Sequence, residues 1–204
     1  NGIPKEKQTT GDVRIEFYAA IKTAEPFLPA GTVIAREQTY VHTFYKKEAT
    51  AQQPATSKEE GNLVAFSGPD FKATFDKQSG LLTSYLYKKH EYILNGQGPR
   101  PFFWRAPTDN DYGANLPVRL KAWKEASYQE PKAESFQVTP GSNATTIKVT
   151  YRFPQTDARW DITYKIYASG VIKVDNRFVA EGDQAPMIPR VGLRMQLPES
   201  FTDL

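Results

Sequence analysis

Chemistry is concentrated in one stretch of the chain, Pro101-Phe102-Phe103-Trp104-Arg105-Ala106-Pro107-Thr108-Asp109-Asn110-Asp111-Tyr112-Gly113. Here aromatic residues run into a segment holding a guanidinium, two carboxylates and an amide. Rings stack on the C–H faces of sugars while carboxylates and amides fix hydroxyl groups, so a ligand-facing loop is one reading. A second is a structural corner, in which Asp109 and Asp111 accept backbone N–H groups and Arg105 pairs with one of them. Buried carboxylates, amides and guanidinium groups all need such partners. A third is a Ca²⁺ site, suggested by the run of oxygen ligands, but Asp-x-Asp-x-Asp-Gly with a later Glu is missing. Hydrolysis by Asp109 with Asp111 is disfavoured, because residues two apart share a face in a strand whereas a loop leaves their spacing unset. Pro107 stiffens the segment, and Gly113 permits backbone angles that other residues avoid.

The remaining candidates are weaker. His42 and His90 lie far apart and lack the Ser or carboxylate arrangement of a triad, which leaves satisfied or solvated imidazoles. Gly96-Gln97-Gly98 has no following helix that would turn it into a phosphate cradle. Asn143-Ala144-Thr145 fits a glycosylation acceptor, meaningful only in a eukaryotic secretory setting. The sequence has no cysteine, which excludes disulfides, thiol catalysis and thiolate metal sites. That composition suits either the cytoplasm or the periplasm of a bacterium and leaves the compartment open. A net charge of +3, with Lys46-Lys47 and Lys88-Lys89 as the adjacent basic pairs, gives no stripe for a nucleic-acid backbone. No apolar run approaches the roughly 20 residues that span a bilayer, so no membrane partner is expected.

The elements that must position the central stretch read as strands. Val13, Ile15, Phe17 and Ala19 alternate, and a second β-rich run covers Thr32 to Phe44 after the turns at Glu25-Pro26 and Leu28-Gly31. Residues 1–46 therefore read as the closing strands of a sandwich that begins upstream, and 47–61, polar and aperiodic, as a linker. A second β region spans 62–204. Phe71, Ala73 and Phe75 alternate into the turn Asp76-Lys77-Gln78-Ser79-Gly80, a hairpin signal. Beyond a further linker at Pro131 to Ser142, Ile147 to Phe153, Trp160 to Ile166, Ile172 to Asn176 and Val191 to Leu197 alternate in turn. The fold class is all-β, an antiparallel β-sandwich. One helix is expected, about Leu116 to Ala126, with Asn115 as its cap and Pro117 in its first turn.

Trp104-Arg105-Ala106-Pro107-Thr108-Asp109-Asn110-Asp111-Tyr112-Gly113 resembles the RAP-x-DND-x-G signature of the last domain of large β-galactosidases of glycoside hydrolase family 2. The helix with Ala122-Trp123-Lys124 and the hairpin Phe75-Asp76-Lys77-Gln78-Ser79-Gly80-Leu81-Leu82 are similar to elements of that domain in the same order. Residues 12–45 resemble the closing strands of the immunoglobulin-like domain before it. The resemblance implies a truncated supersandwich of galactose-mutarotase-like fold preceded by part of an immunoglobulin-like sandwich. It places Arg105, Asp109, Asn110, Asp111 and Gly113 in a loop at the substrate-pocket edge, with Gly113 in a segment that shifts with substrate.

No residue of this chain is catalytic on this reading. The family's retaining chemistry uses two Glu residues about 5 Å apart, carried by a TIM-barrel domain outside this sequence. No cofactor or metal belongs to the chain, the Mg²⁺ and Na⁺ often used by the family lying at the barrel. The expected partners are the rest of the polypeptide and, through it, a β-galactoside, and a homo-oligomer is compatible with the resemblance. The second half of the sandwich also lies beyond this sequence, so unpaired sheet edges are expected. The alternative is a free-standing carbohydrate-binding sandwich, with Trp104, Phe102 and Phe103 as the stacking rings, against the plainer reading that those rings fill the core.

Overall fold

Strict alternation of apolar and polar residues, with β-branched and aromatic side chains on one face, makes antiparallel sheet the dominant regular structure of this chain. The computed structural model describes residues 11–44, 54–182 and 187–201, so the opening residues and the first part of the expected linker lie outside the described residues. The chain divides between residues 49 and 50 into two compact units.

In the first unit, β1 (Gly11–Ala20) and β2 (Val33–Phe44) form a two-stranded antiparallel ribbon. Direct partners share a face, and the register sorts the residues cleanly. Arg14, Glu16 and Tyr18 stand opposite Tyr40, Gln38 and Arg36. There Arg14 Nη1 donates to Gln38 Oε1 at 2.6 Å, and Gln38 Nε2 to Glu16 Oε1 at 2.9 Å. The other face carries Ile15, Phe17 and Ala19 opposite Thr39, Glu37 and Ala35, with Phe17 54% exposed. Two strands alone do not enclose a core.

The second unit begins with β3 (Thr56–Glu60), β4 (Leu63–Ser67), β5 (Phe71–Asp76), β6 (Leu82–Tyr87) and β7 (His90–Glu91), paired in that order as one sheet. After β8 (Arg100–Phe102) come three short helices, α1 (Asp109–Gly113), α2 (Leu116–Arg119) and α3 (Lys121–Tyr128). Strands β9 (Ser135–Thr139), β10 (Ala144–Phe153), β11 (Ala158–Tyr167) and β12 (Ile172–Ala180) form the second sheet, ordered β12-β11-β10-β9. The last strand, β13 (Gly192–Arg194), pairs back onto β8.

The two large sheets face each other. Val64, Phe66, Ala73 and Phe75 from one, and Ile147, Val149, Ile162, Tyr164 and Ile166 from the other, are fully buried in a single core. Phe75 meets Tyr164 edge to face at 5.0 Å between ring centroids, and the Tyr85 hydroxyl donates to the Gly170 carbonyl at 2.7 Å. The unit is an antiparallel β-sandwich.

Several elements depart from the sequence reading. Thr56–Glu60 falls in the expected linker yet forms β3, exposed at every residue. It is an edge strand whose polar composition hides its hydrogen bonding. Ser135–Thr139, in the second expected linker, forms β9 at an edge of the other sheet, a short strand with Phe136 and Val138 half-buried. The run Val191 to Leu197 contributes only three residues of strand, Gly192–Arg194. The expected helix breaks at Leu120 (φ −108°, ψ 20°) into α2 and α3. Asn115 precedes it in a left-handed conformation (φ 54°) and makes no side-chain cap. Gly113, expected to use its backbone freedom, lies inside α1.

The turn Asp76 to Gly80 is packed tightly against the core. Asp76 accepts from the Gln78 amide and the Ser79 hydroxyl, both at 2.9 Å, and Gly80 turns the chain at φ 75°. A Cβ on Gly80 would sit 2.5 Å from both the Tyr151 hydroxyl and Val149 Cγ1. Gly80→Ala is therefore expected to destabilise the sandwich by about 1–3 kcal/mol through overpacking, with backbone strain in addition. Chemical denaturation checks this, and an unchanged midpoint would mean that the turn is not packed as described.

Candidate functional site

The motif stretch enters its site from β8, and burial fixes where it turns outward. Phe103 is fully buried, with its ring 4.8 Å from Trp123, 5.0 Å from Phe153 and 5.4 Å from Trp160. Its amide donates to Ser127 Oγ at 2.9 Å, and that hydroxyl donates to the Trp123 carbonyl at 2.7 Å. One buried serine on α3 thus serves as acceptor for the incoming strand and donor to its own helix. Trp104 is also buried, at 7% exposed, whereas Arg105 is exposed.

The carboxylates then separate in role. Asp111 is buried and accepts a bidentate fork from Arg105, Nη1 to Oδ2 at 2.5 Å and Nη2 to Oδ1 at 2.9 Å. Charge-assisted, two-point pairing of this kind fixes geometry as well as charge. The same carboxylate accepts the Thr108 amide at 2.7 Å, while the Thr108 hydroxyl accepts from the Asp111 amide. This is a reciprocal capping box that starts α1, with Asp at the position more often held by Glu. The Arg105 guanidinium and the Thr108 amide together pull the Asp111 carboxyl from 3.8 down to about 2. The pairing in turn raises the Arg105 pKa.

Asp109 and Asn110 are exposed, and among the described residues their side chains make no hydrogen bond. Tyr112 beside them is 63% exposed. Asp111 and Arg105 thus build the structural corner, whereas Asp109, expected to accept a backbone N–H as well, does not join it. Thr108-x-x-Asp111 is itself a capping signature that sequence reasoning passed over. Ser127 carried no such signal.

Trp104, Arg105, Pro107, Asp111, Leu120 and Ile188 are among the residues that line a cavity of about 110 Å³. That volume is below the roughly 300 Å³ at which ligand pockets begin, so these residues form a wall and not an enclosure. Lys124 Nζ lies over the Trp104 ring at 5.8 Å. With Phe103 and Trp104 buried, the three rings do not form an exposed stacking platform of the kind a free-standing sugar-binding module uses. Among the described residues no cluster of His, Cys, Asp or Glu is arranged to hold a metal ion, and no helix is long and apolar enough to cross a membrane.

Residues 67–204 match the family model described as "Beta galactosidase small chain". The chain belongs to this family. Relatives of the small chain extend the likeness to residues before 67. The β-galactosidase of Priestia megaterium is 31% identical over 155 residues, covering 76% of this chain and 15% of that protein. The β-galactosidase of Streptococcus thermophilus is 28% identical over 193 residues, covering 93% of this chain and 18% of that protein. The β-galactosidase small subunit of Latilactobacillus sakei is 29% identical over 161 residues, covering 68% of this chain and 49% of that one. This chain therefore spans less than a fifth of the two longer relatives and about half of the small subunit.

Two outcomes test the lock. Asp111 has a depressed pKa, so its pairing with Arg105 stabilises the loop fully above 3.8 and is lost as the pH falls towards about 2. The Thr108 amide resonance should move with a midpoint near 2, and a midpoint at the ordinary carboxylate value would show that the pair does not form in solution. Thr108→Ala removes the cap and is expected to cost about 0.5–2 kcal/mol in equilibrium unfolding.

Proposed function

We propose that this chain is a non-catalytic portion of a β-galactosidase of glycoside hydrolase family 2. In that reading the chain from β3 (Thr56–Glu60) onward is the first part of its supersandwich domain, and residues 1–46 close an immunoglobulin-like domain. The parent enzyme hydrolyses terminal β-D-galactosides with retention, through a nucleophile and an acid/base Glu on a TIM barrel elsewhere in the polypeptide. This chain contributes the pocket-edge loop from Arg105 to Gly113.

The observation that carries this reading is the division of labour within the motif. Arg105 and Asp111 are spent on each other, which stiffens the loop, while Asp109 and Asn110 keep free hydrogen-bonding groups in solvent. A carboxylate and an amide held on a stiff support suit the orientation of sugar hydroxyls. They do not suit bond cleavage, which needs a second carboxylate facing them across the substrate. A 110 Å³ hollow accommodates part of a sugar and leaves the remaining walls to be supplied by the barrel. The supersandwich assignment, the retaining mechanism and the contact with substrate rest on the motif resemblance and on the names of the relatives.

In the intact polypeptide, Asp109→Ala and Asn110→Ala are each expected to lower kcat/KM on a chromogenic β-galactoside by about tenfold, equivalent to about 1.4 kcal/mol. Unfolding midpoints should stay unchanged. The 204-residue chain alone should show no turnover. Turnover by the isolated chain, or full activity in both variants, would overturn the proposal.

A further inference from the structure

A second feature of the small chain lies on β8 and β13, away from the motif loop. In the register of these two strands Arg100 stands directly opposite Arg194. Directly paired residues project to the same face, and like charges so placed repel. Arg100 is buried, at 8% exposed. Its Nη2 donates to the carbonyls of Ser127 at 3.0 Å and Gln129 at 3.4 Å, and its Nη1 to Gln97 Oε1 at 3.2 Å. These acceptors are neutral. Glu130, its ion-pair partner among the described residues, is 4.0 Å away with a side chain 82% exposed. A buried guanidinium without a close counter-ion is electrostatically expensive, and a second guanidinium across the strand pair adds to that cost.

Arg194 is exposed and stacks its guanidinium over Phe102 at 5.4 Å and Tyr128 at 5.8 Å, which fixes its direction. Among the described residues it has no ion pair. The two arginines line one polar cleft of about 330 Å³, together with Asn95, Gln97, Gln196 and Glu130. That volume lies within the range of small-molecule pockets, at the lower end of about 300–1,000 Å³. Fork-shaped donors from two sides, with amides between them, match an anion carrying several oxygens.

We propose that this cleft is an oxyanion-binding site, taking a phosphate or a carboxylate between Arg100 and Arg194. The bound anion supplies the charge that the register leaves uncompensated and ties β13 to β8. Glu130 at the rim competes for the Arg100 guanidinium. The site is separate from the motif loop and does not depend on the galactosidase reading.

The test is calorimetric titration of the intact protein with inorganic phosphate and, separately, with malonate, each against chloride at matched ionic strength. Saturable binding of at least one oxyanion, and not of chloride, is expected, the tighter of the two identifying which chemistry the site prefers. Arg194→Gln, on an exposed side chain, should weaken that binding at least tenfold without changing the unfolding midpoint in chloride. Glu130→Gln should strengthen it several-fold. A flat titration overturns the proposal, as it would if a carboxylate of another segment already filled the cleft. Equal affinity in Arg194→Gln overturns it as well.

Discussion

The motif loop owes its position to the boundary between Phe103 and Arg105. Phe103 is enclosed by rings from α3, β10, β11 and β12, and its amide is held by the hydroxyl of Ser127. Burying such a side chain contributes about 1.5–3 kcal/mol, and each well-oriented aromatic pair adds about 0.5–1.5 kcal/mol. Two residues later the backbone has left the core, and Arg105 is already in solvent. The loop therefore departs from a fixed point in a fixed direction. Ordering it costs about 1–2 kcal/mol per residue in backbone entropy, which the fixed start, Pro107 and the Thr108 cap each reduce.

Within that frame the charged residues are not equivalent. Asp109 and Asp111 are two apart in sequence, but one short helical turn sends Asp111 inward to Arg105 and leaves Asp109 outside. The depressed pKa of Asp111 keeps it ionised across the working range of most enzymes, so the lock does not open with ordinary changes of pH. The lock thus fixes the direction of the loop's polar groups in advance.

The fold class was legible because the long central strands alternate without interruption. Ile147, Val149 and Tyr151 in β10 face Trp160, Ile162 and Tyr164 in β11, and all are buried. The edges were not legible. Strands β3 and β9 border only one neighbour; β3 is polar enough to pass for a linker, and β9 is short, with only Phe136 and Val138 turned to the core. The helical segment is continuous in pattern but breaks at Leu120, where the backbone leaves the helical region (φ −108°, ψ 20°). In the site, residue types pointed to Arg105 and the acidic residues, and the pairing of Arg105 with Asp111 followed from their chemistry. Which of the two aspartates turned inward depended on the cap at Thr108. Ser127 and Arg100 act through backbone groups far away in the chain, and such contacts leave no periodic trace.

The clasp between β8 and β13 has a kinetic corollary. Hairpins such as β5–β6 and β10–β11 join neighbouring segments, whereas β8 finds its partner only after the helices and the whole second sheet have been traversed. Closing so large a loop carries an entropic penalty that local pairing avoids. With three residues on each side, the clasp has little surface with which to offset that penalty. It is thus a natural late step in assembly of the unit.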